Sequence, residues 1–167
     1  ATINGVGSQW ANSGDLTLGT GSSYSGVLNI AADGKASNNV GYLGLEPGSS
    51  GGITVTGQDS RWINSGLLFV GHEGEGTLNV MDGGFVTSNN TAYIGRYLDS
   101  TGTVTVTGEG SVWNSFGGLY VGLSGSGTLN IQNGGNFKKL TESNTGLEVP
   151  FTLTGKGKQC KIFSSTN

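Results

Sequence analysis

The chain holds one histidine, His72, and carboxylates surround it: Gly71-His72-Glu73-Gly74-Glu75, with Asp82 beyond. An imidazole and two or three carboxylates can hold a divalent metal or relay a proton. The spacing here matches neither the zinc signatures nor the EF-hand loop, and the calcium-binding nonapeptide of other β-rolls is absent. A solvated loop without metal is expected. Asp59 and Arg61 flank Ser60 and read as a surface ion contact. Lys35 and Arg96 lie in unrelated stretches, so the clustered Asp with a Lys or Arg that polysaccharide cleavage needs is not suggested. No Ser/His/Asp set emerges from the spacing. No catalytic residue, metal or cofactor is expected. The single Cys160 cannot form an internal disulfide. The Asn89-Asn90-Thr91 sequon matters only in a eukaryotic secretory host.

What could position any group is a repeat. A Trp stands five residues after a Gly three times, at Gly5/Trp10, Gly57/Trp62 and Gly108/Trp113, and the Trp-to-Trp spacings are 52 and 51 residues. A period of that length decides the fold before any local signal does. It divides in two. An apolar–x–apolar–Gly pattern ends at Gly19, Gly44, Gly71, Gly95 and Gly122, at spacings of 25, 27, 24 and 27 residues. In the loops that follow it, the place of His72 is taken by Thr20-Gly21 and Leu123-Ser124, so the His loop is not repeated.

Each unit of about 25 residues holds three short stretches of period-two alternation, with Gly, Ser, Asn and Asp between them. Helix is expected to be nearly absent. One unit cannot bury its own apolar residues, but stacked units can. The expected fold is all-β: a parallel β-solenoid, a right-handed β-helix by the crossover rule, with about six rungs and three short strands per rung. Three internal columns are expected. The first is Leu18, Leu43, Val70, Ile94 and Val121. The second is Leu28, Ile53, Leu78, Val104 and Leu129. The third is Trp10, Ala36, Trp62, Val86, Trp113 and Phe137, whose large–small alternation fits the unequal lengths of odd and even coils. Residues 1–137 read as the repeats, in coil pairs near 1–51, 52–102 and 103–137. Residues 138–167 diverge and read as a shortened last rung, a cap or foreign sequence. Within them Thr152-Leu153-Thr154-Gly155 echoes Thr105-Val106-Thr107-Gly108, and Cys160 falls where Trp113 would be.

Composition narrows the partners. Residues 1–137 carry three Lys/Arg and nine Asp/Glu, a net of −6, while 138–167 carry five Lys and two Glu. An acidic body argues against a nucleic-acid groove. No run of 18 apolar residues exists, so no membrane insertion by this segment is expected. No charged-then-apolar leader stands at Ala1, so the chain reads as mature or as a fragment.

Two outward columns could bind. On the second strand of each rung the outward pairs are Val27/Asn29, Gly52/Thr54, Thr77/Asn79, Thr103/Thr105 and Thr128/Asn130. Such a Thr/Asn lattice could dock ice, polysaccharide or another copy's sheet. It could equally reflect the fit of Thr to exposed strands and of Asn to ladders. The second column, Thr17, Tyr42, Phe69, Tyr93 and Tyr120, is an aromatic stripe expected to be exposed. It would suit sugar rings or a neighbouring rod, or it could serve rung-to-rung stacking alone.

The run from 102 to 135, G-T-V-T-V-T-G-E-G-S-V-W-N-S followed by L-Y-V-G-L-S-G-S-G-T-L-N-I-Q-N-G-G, resembles the repeat of bacterial autotransporter (type V secretion) passengers and PEP-CTERM-associated surface proteins. The likeness covers 1–137. It implies a non-catalytic stalk or adhesin, extracellular or on the bacterial cell surface. The implied partners are a host-surface glycan or protein, or other copies stacked end to end or side by side as a structural fibre.

Overall fold

A computed structural model of the chain describes residues 1–140, 151–156 and 160–162. Every regular element among them is a β-strand. The first turn supplies β1 (Thr2–Asn4), β2 (Gln9–Ala11) and β3 (Leu16–Leu18). The second supplies β4 (Ser25–Ala31), β5 (Lys35–Asn38) and β6 (Gly41–Leu43). The third supplies β7 (Ser50–Thr56), β8 (Arg61–Asn64) and β9 (Leu68–Val70), and the fourth β10 (Glu75–Met81), β11 (Phe85–Ser88) and β12 (Ala92–Ile94). The fifth supplies β13 (Thr101–Thr107), β14 (Val112–Ser115) and β15 (Leu119–Val121). The sixth supplies β16 (Ser126–Gln132) and β17 (Asn136–Lys139), and β18 (Phe151–Lys156) and β19 (Cys160–Ile162) follow.

Each complete turn gives one strand to each of three sheets. Sheet A runs β1-β4-β7-β10-β13-β16-β18, sheet B β2-β5-β8-β11-β14-β17, and sheet C β3-β6-β9-β12-β15-β19. From β1 to β17 all pairing is parallel, and residues one turn apart stand side by side: Leu28, Ile53, Leu78, Val104 and Leu129 form one ladder. The chain is a β-solenoid of about six turns. Short strands suffice because the backbone of each inner strand pairs with the turns before and after it. Period-two alternation then sends one residue in and the next out.

The interior is a stack of columns. The ladder from Leu28 to Leu129 is buried, and so is its companion Ile30, Val55, Val80, Val106 and Ile131. On sheet C, Leu43, Val70, Ile94 and Val121 are buried, while Leu18 in the first turn is only partly covered. On sheet B, Ala36, Trp62, Val86, Trp113 and Phe137 are buried. Trp10, expected among them, is in register with Ala36 yet 40% exposed. The reason is a missing neighbour, because the inner indoles lean back onto the preceding turn. The Nε1–H of Trp62 donates to Asn38 Oδ1 at 2.6 Å, and that of Trp113 donates to Ser88 Oγ at 3.2 Å. Trp10 stands on the first turn of the described stack and has nothing to lean on.

The two Trp positions of the large–small alternation on sheet B have counterparts on sheet C. Trp62 overlies Gly41, where an added Cβ would lie 3.2 Å from Trp62 Cζ2 and 3.2 Å from Leu68 Cδ1. The sheet C position one turn before Trp113 is likewise small, Ala92, whereas Leu16, Leu68 and Leu119 fill it elsewhere. Each inner Trp is matched by a small residue on the next face, as close packing requires.

A polar column runs inside sheet B, at Asn38, Asn64, Ser88 and Ser115, all buried. Asn38 Nδ2 donates to Asn64 Oδ1 at 2.7 Å, and Asn64 Nδ2 donates to the carbonyls of Gly66 and Leu67 at 2.8 and 2.9 Å. Burying these amides is tolerable because their hydrogen-bonding groups are paired.

The C-terminal segment departs from the repeat. β18 joins sheet A antiparallel to β16, with Leu129 opposite Leu153, and not as a further parallel rung. β19 lies antiparallel to β15 in sheet C, with Val121 opposite Cys160. Cys160 therefore does not continue the sheet B column of Trp113. Residues 141–150, 157–159 and 163–167 of the divergent segment lie outside the described residues.

Candidate binding surfaces

The outward face of sheet A carries the Thr/Asn lattice at the expected places. Val27, Gly52, Thr77, Thr103 and Thr128 form one column, and Asn29, Thr54, Asn79, Thr105 and Asn130 the next. Most of these are half-exposed, and Val27, Asn29 and Thr77 are exposed. The second column alternates Asn with Thr, so no two Asn amides meet on adjacent turns. The side chains of Ser50, Thr54, Thr77 and Asn79 make no hydrogen bond to other described residues. Their polar groups face solvent and are open to a partner.

The outward face of sheet C brings Tyr42, Phe69, Tyr93 and Tyr120 into one stack. Successive ring centroids are 5.1, 5.2 and 5.1 Å apart, with interplanar angles of 7°, 8° and 11°. One residue per turn at a ~4.8 Å rung spacing puts the rings face to face by geometry alone. The stripe is more covered than the sequence suggests. Tyr42, Tyr93 and Tyr120 are half-buried and Phe69 is only 7% exposed, because residues just past the turn glycines fold over it. The His72 ring packs in a T-shaped arrangement, its centroid 5.4 Å from that of Tyr42, 4.9 Å from Phe69 and 4.9 Å from Tyr97. The guanidinium of Arg96 covers Tyr93 at 4.4 Å and Tyr97 at 5.0 Å. Sequence reasoning missed this second layer. The only signal was that His72 and Arg96 each directly follow a glycine of the apolar–x–apolar–Gly pattern.

Removing one ring from the middle should be measurable. Tyr93→Ala loses two stacked contacts and its Arg96 contact, so a cost of about 2 kcal/mol is expected. Urea denaturation checks it.

The other candidates are placed as follows. His72 belongs to the aromatic face, with Nδ1 3.1 Å from the Leu45 carbonyl oxygen. Asp82 lies on the corner after β10, its carboxylate 3.4 Å from Thr56 Oγ1. Arg61 and Asp59 approach to 3.8 Å with both side chains largely in solvent, and Arg61 also lies 5.3 Å from the Phe85 ring.

Two curated proteins are similar to this stretch of chain. Over 122 residues, 67% of the chain, it is 30% identical to the adhesin BmaC autotransporter of Brucella suis biovar 1 (strain 1330), of which it covers 4%. Over 101 residues, 58% of the chain, it is 36% identical to YdeK of Escherichia coli (strain K12), an uncharacterized lipoprotein, of which it covers 7%. The chain thus spans less than a tenth of either relative. No family model and no solved structure matches it. On these findings the chain is a β-solenoid repeat segment similar to part of an autotransporter adhesin.

Proposed function

We propose that this solenoid is a non-catalytic, adhesin-like segment of a secreted or surface-anchored bacterial protein, and that it binds a host-surface glycan or protein through its two patterned faces. The observation that carries this reading is the open Thr/Asn lattice of sheet A, on a chain similar to an autotransporter adhesin. A solenoid that presents Thr or Asn on one face turn after turn suits repetitive targets. Each contact is weak, and several engaged together raise the apparent affinity by 10²–10⁴. The purified chain should bind host cells or immobilised glycans. Charged substitutions on the outward face, Thr103→Lys with Thr128→Lys, should weaken binding about tenfold or more by spoiling the neutral lattice. Binding equal to the original would remove sheet A from the reading, and the same comparison with Tyr93→Ala and Tyr120→Ala tests the aromatic face.

A second reading is a fibre built by head-to-tail stacking. Strands β1, β2 and β3 each pair on one side only among the described residues, and unpaired strand edges recruit further strands. The exposed Val6 and Trp10 lie in this turn. Electron microscopy and size-exclusion across a concentration series separate the two readings, since a monomer at every concentration removes the fibre.

A further inference from the structure

The sheet A lattice has one gap. Its column reads Val27, Gly52, Thr77, Thr103 and Thr128, and Gly52 alone contributes no side chain. The fold does not demand glycine there. The neighbouring glycine ladder, which includes Gly51, Gly76, Gly102 and Gly127, is pressed against backbone that a Cβ would overlap. Gly52 is ordinary strand backbone without positive φ, and a Cβ on it would come no closer than 3.9 Å to Val27 Cγ2 and 4.0 Å to the Thr77 carbonyl oxygen. A glycine inside a strand weakens it, and it often marks a place where a ligand or another backbone approaches closely.

The gap opens a depression of about 250 Å³ lined by Val27, Ser50, Gly52, Thr54, Thr77 and Asn79. Its floor is the Gly52 backbone. The methyl groups of Val27, 54% exposed, give it one apolar wall. Three hydroxyls and an amide with no partner among the described residues stand around the rest. No charged side chain lines it. Such a lining fits a neutral ring with C–H groups on one face and hydroxyls at its edge. The volume lies below the range of drug-sized pockets, so it suits one ring and weak binding.

We propose that the depression over Gly52 is a subsite for one neutral pyranose residue of a glycan. It names the ligand class within the adhesin reading and rests on that reading for its biological role. Amide chemical shifts of the whole chain, titrated with glucose, galactose, mannose and N-acetylglucosamine to on the order of tens of millimolar, provide the test. At least one sugar should shift Gly52, Thr54, Thr77 and Asn79. Gly52→Thr, which fills the gap with the residue of the neighbouring turns, should weaken that sugar at least tenfold with an unchanged or higher melting temperature. Gly52→Ala should give a smaller loss and guards against a folding defect. The subsite is overturned if no sugar moves these amides, or if Gly52→Thr binds as the original does. Host-cell adhesion measured in parallel keeps the two ideas apart. Adhesion without sugar shifts overturns the subsite and leaves the adhesin, whereas sugar shifts without adhesion support the subsite and remove the adhesin.

Discussion

Trp62→Ala should cost about 5 kcal/mol, one of the largest effects of any side-chain truncation among the described residues. The indole is fully buried, and truncating such a residue costs roughly 3–5 kcal/mol through lost transfer energy and the cavity left behind. A second loss adds to it. Asn38 Oδ1 accepts its hydrogen bond from this indole, and a buried acceptor left alone costs about 1–3 kcal/mol. Domains of this kind have about 5–15 kcal/mol in all, so the variant should stand close to unfolding. Trp62→Phe separates the parts, since most of the ring remains and the N–H does not. Trp10→Ala is the internal control. Its indole is 40% exposed and makes no hydrogen bond among those described, so about 1–2 kcal/mol is expected from its partial burial. Chemical denaturation of the three variants checks the order, and equal costs for Trp10 and Trp62 would deny the column its role.

The second large effect is expected at Gly76. Gly71, with φ +76°, turns the chain from sheet C into sheet A, and the Gly71 N–H donates to the Leu43 carbonyl at 2.9 Å. A Cβ on Gly76 would overlap that nitrogen and also crowd the carbonyl carbon of Val70 and the Leu43 oxygen. These are backbone atoms, so no rotamer change relieves the clash, and the turns must separate. Gly76→Ala should therefore cost at least about 3 kcal/mol, the upper end of overpacking. The contrast lies one strand away. Gly52→Ala meets only ordinary contacts and should stabilise by about 0.5–1 kcal/mol, as removing an unneeded glycine does. Thermal melts of the two variants should move in opposite directions.

Much of the fold is legible in the sequence because the repeat makes each position report on its neighbours. Period-two alternation from Leu28 or Trp62 sends Ile30 and Asn64 inward and Asn29 and Ile63 outward, as the burial pattern has it. The registers follow from the spacing of the turn glycines. The exposure of Trp10 was not legible, since the inner indoles are covered by leaning on the turn before them and Trp10 has no such turn among the described residues. Nor was the direction of β18. The alternation in Thr152-Leu153-Thr154 reads the same forwards and backwards, so likeness to Thr105-Val106-Thr107 cannot separate a parallel strand from an antiparallel one. The Trp62–Asn38 bond joins adjacent turns of sheet B two positions out of register, Asn38 standing opposite Asn64, and shows only once the indole's lean is known. The outward lattice could be placed by counting. Its gap at Gly52 could be seen but not interpreted, because a strand glycine that packing requires and one it does not require look alike until the neighbouring backbone is in place.

The most direct test of the stacked-turn architecture uses the three indole N–H protons, which resonate apart from the backbone amides. Nuclear Overhauser contacts should link the Trp62 indole N–H to the Asn38 side chain, 24 residues away. They should link the Trp113 indole N–H to Ser88, 25 residues away, and should leave the Trp10 indole without a counterpart. Contacts confined to sequence neighbours, or linking Trp62 and Trp113 to residues not one turn back, would contradict a solenoid interior.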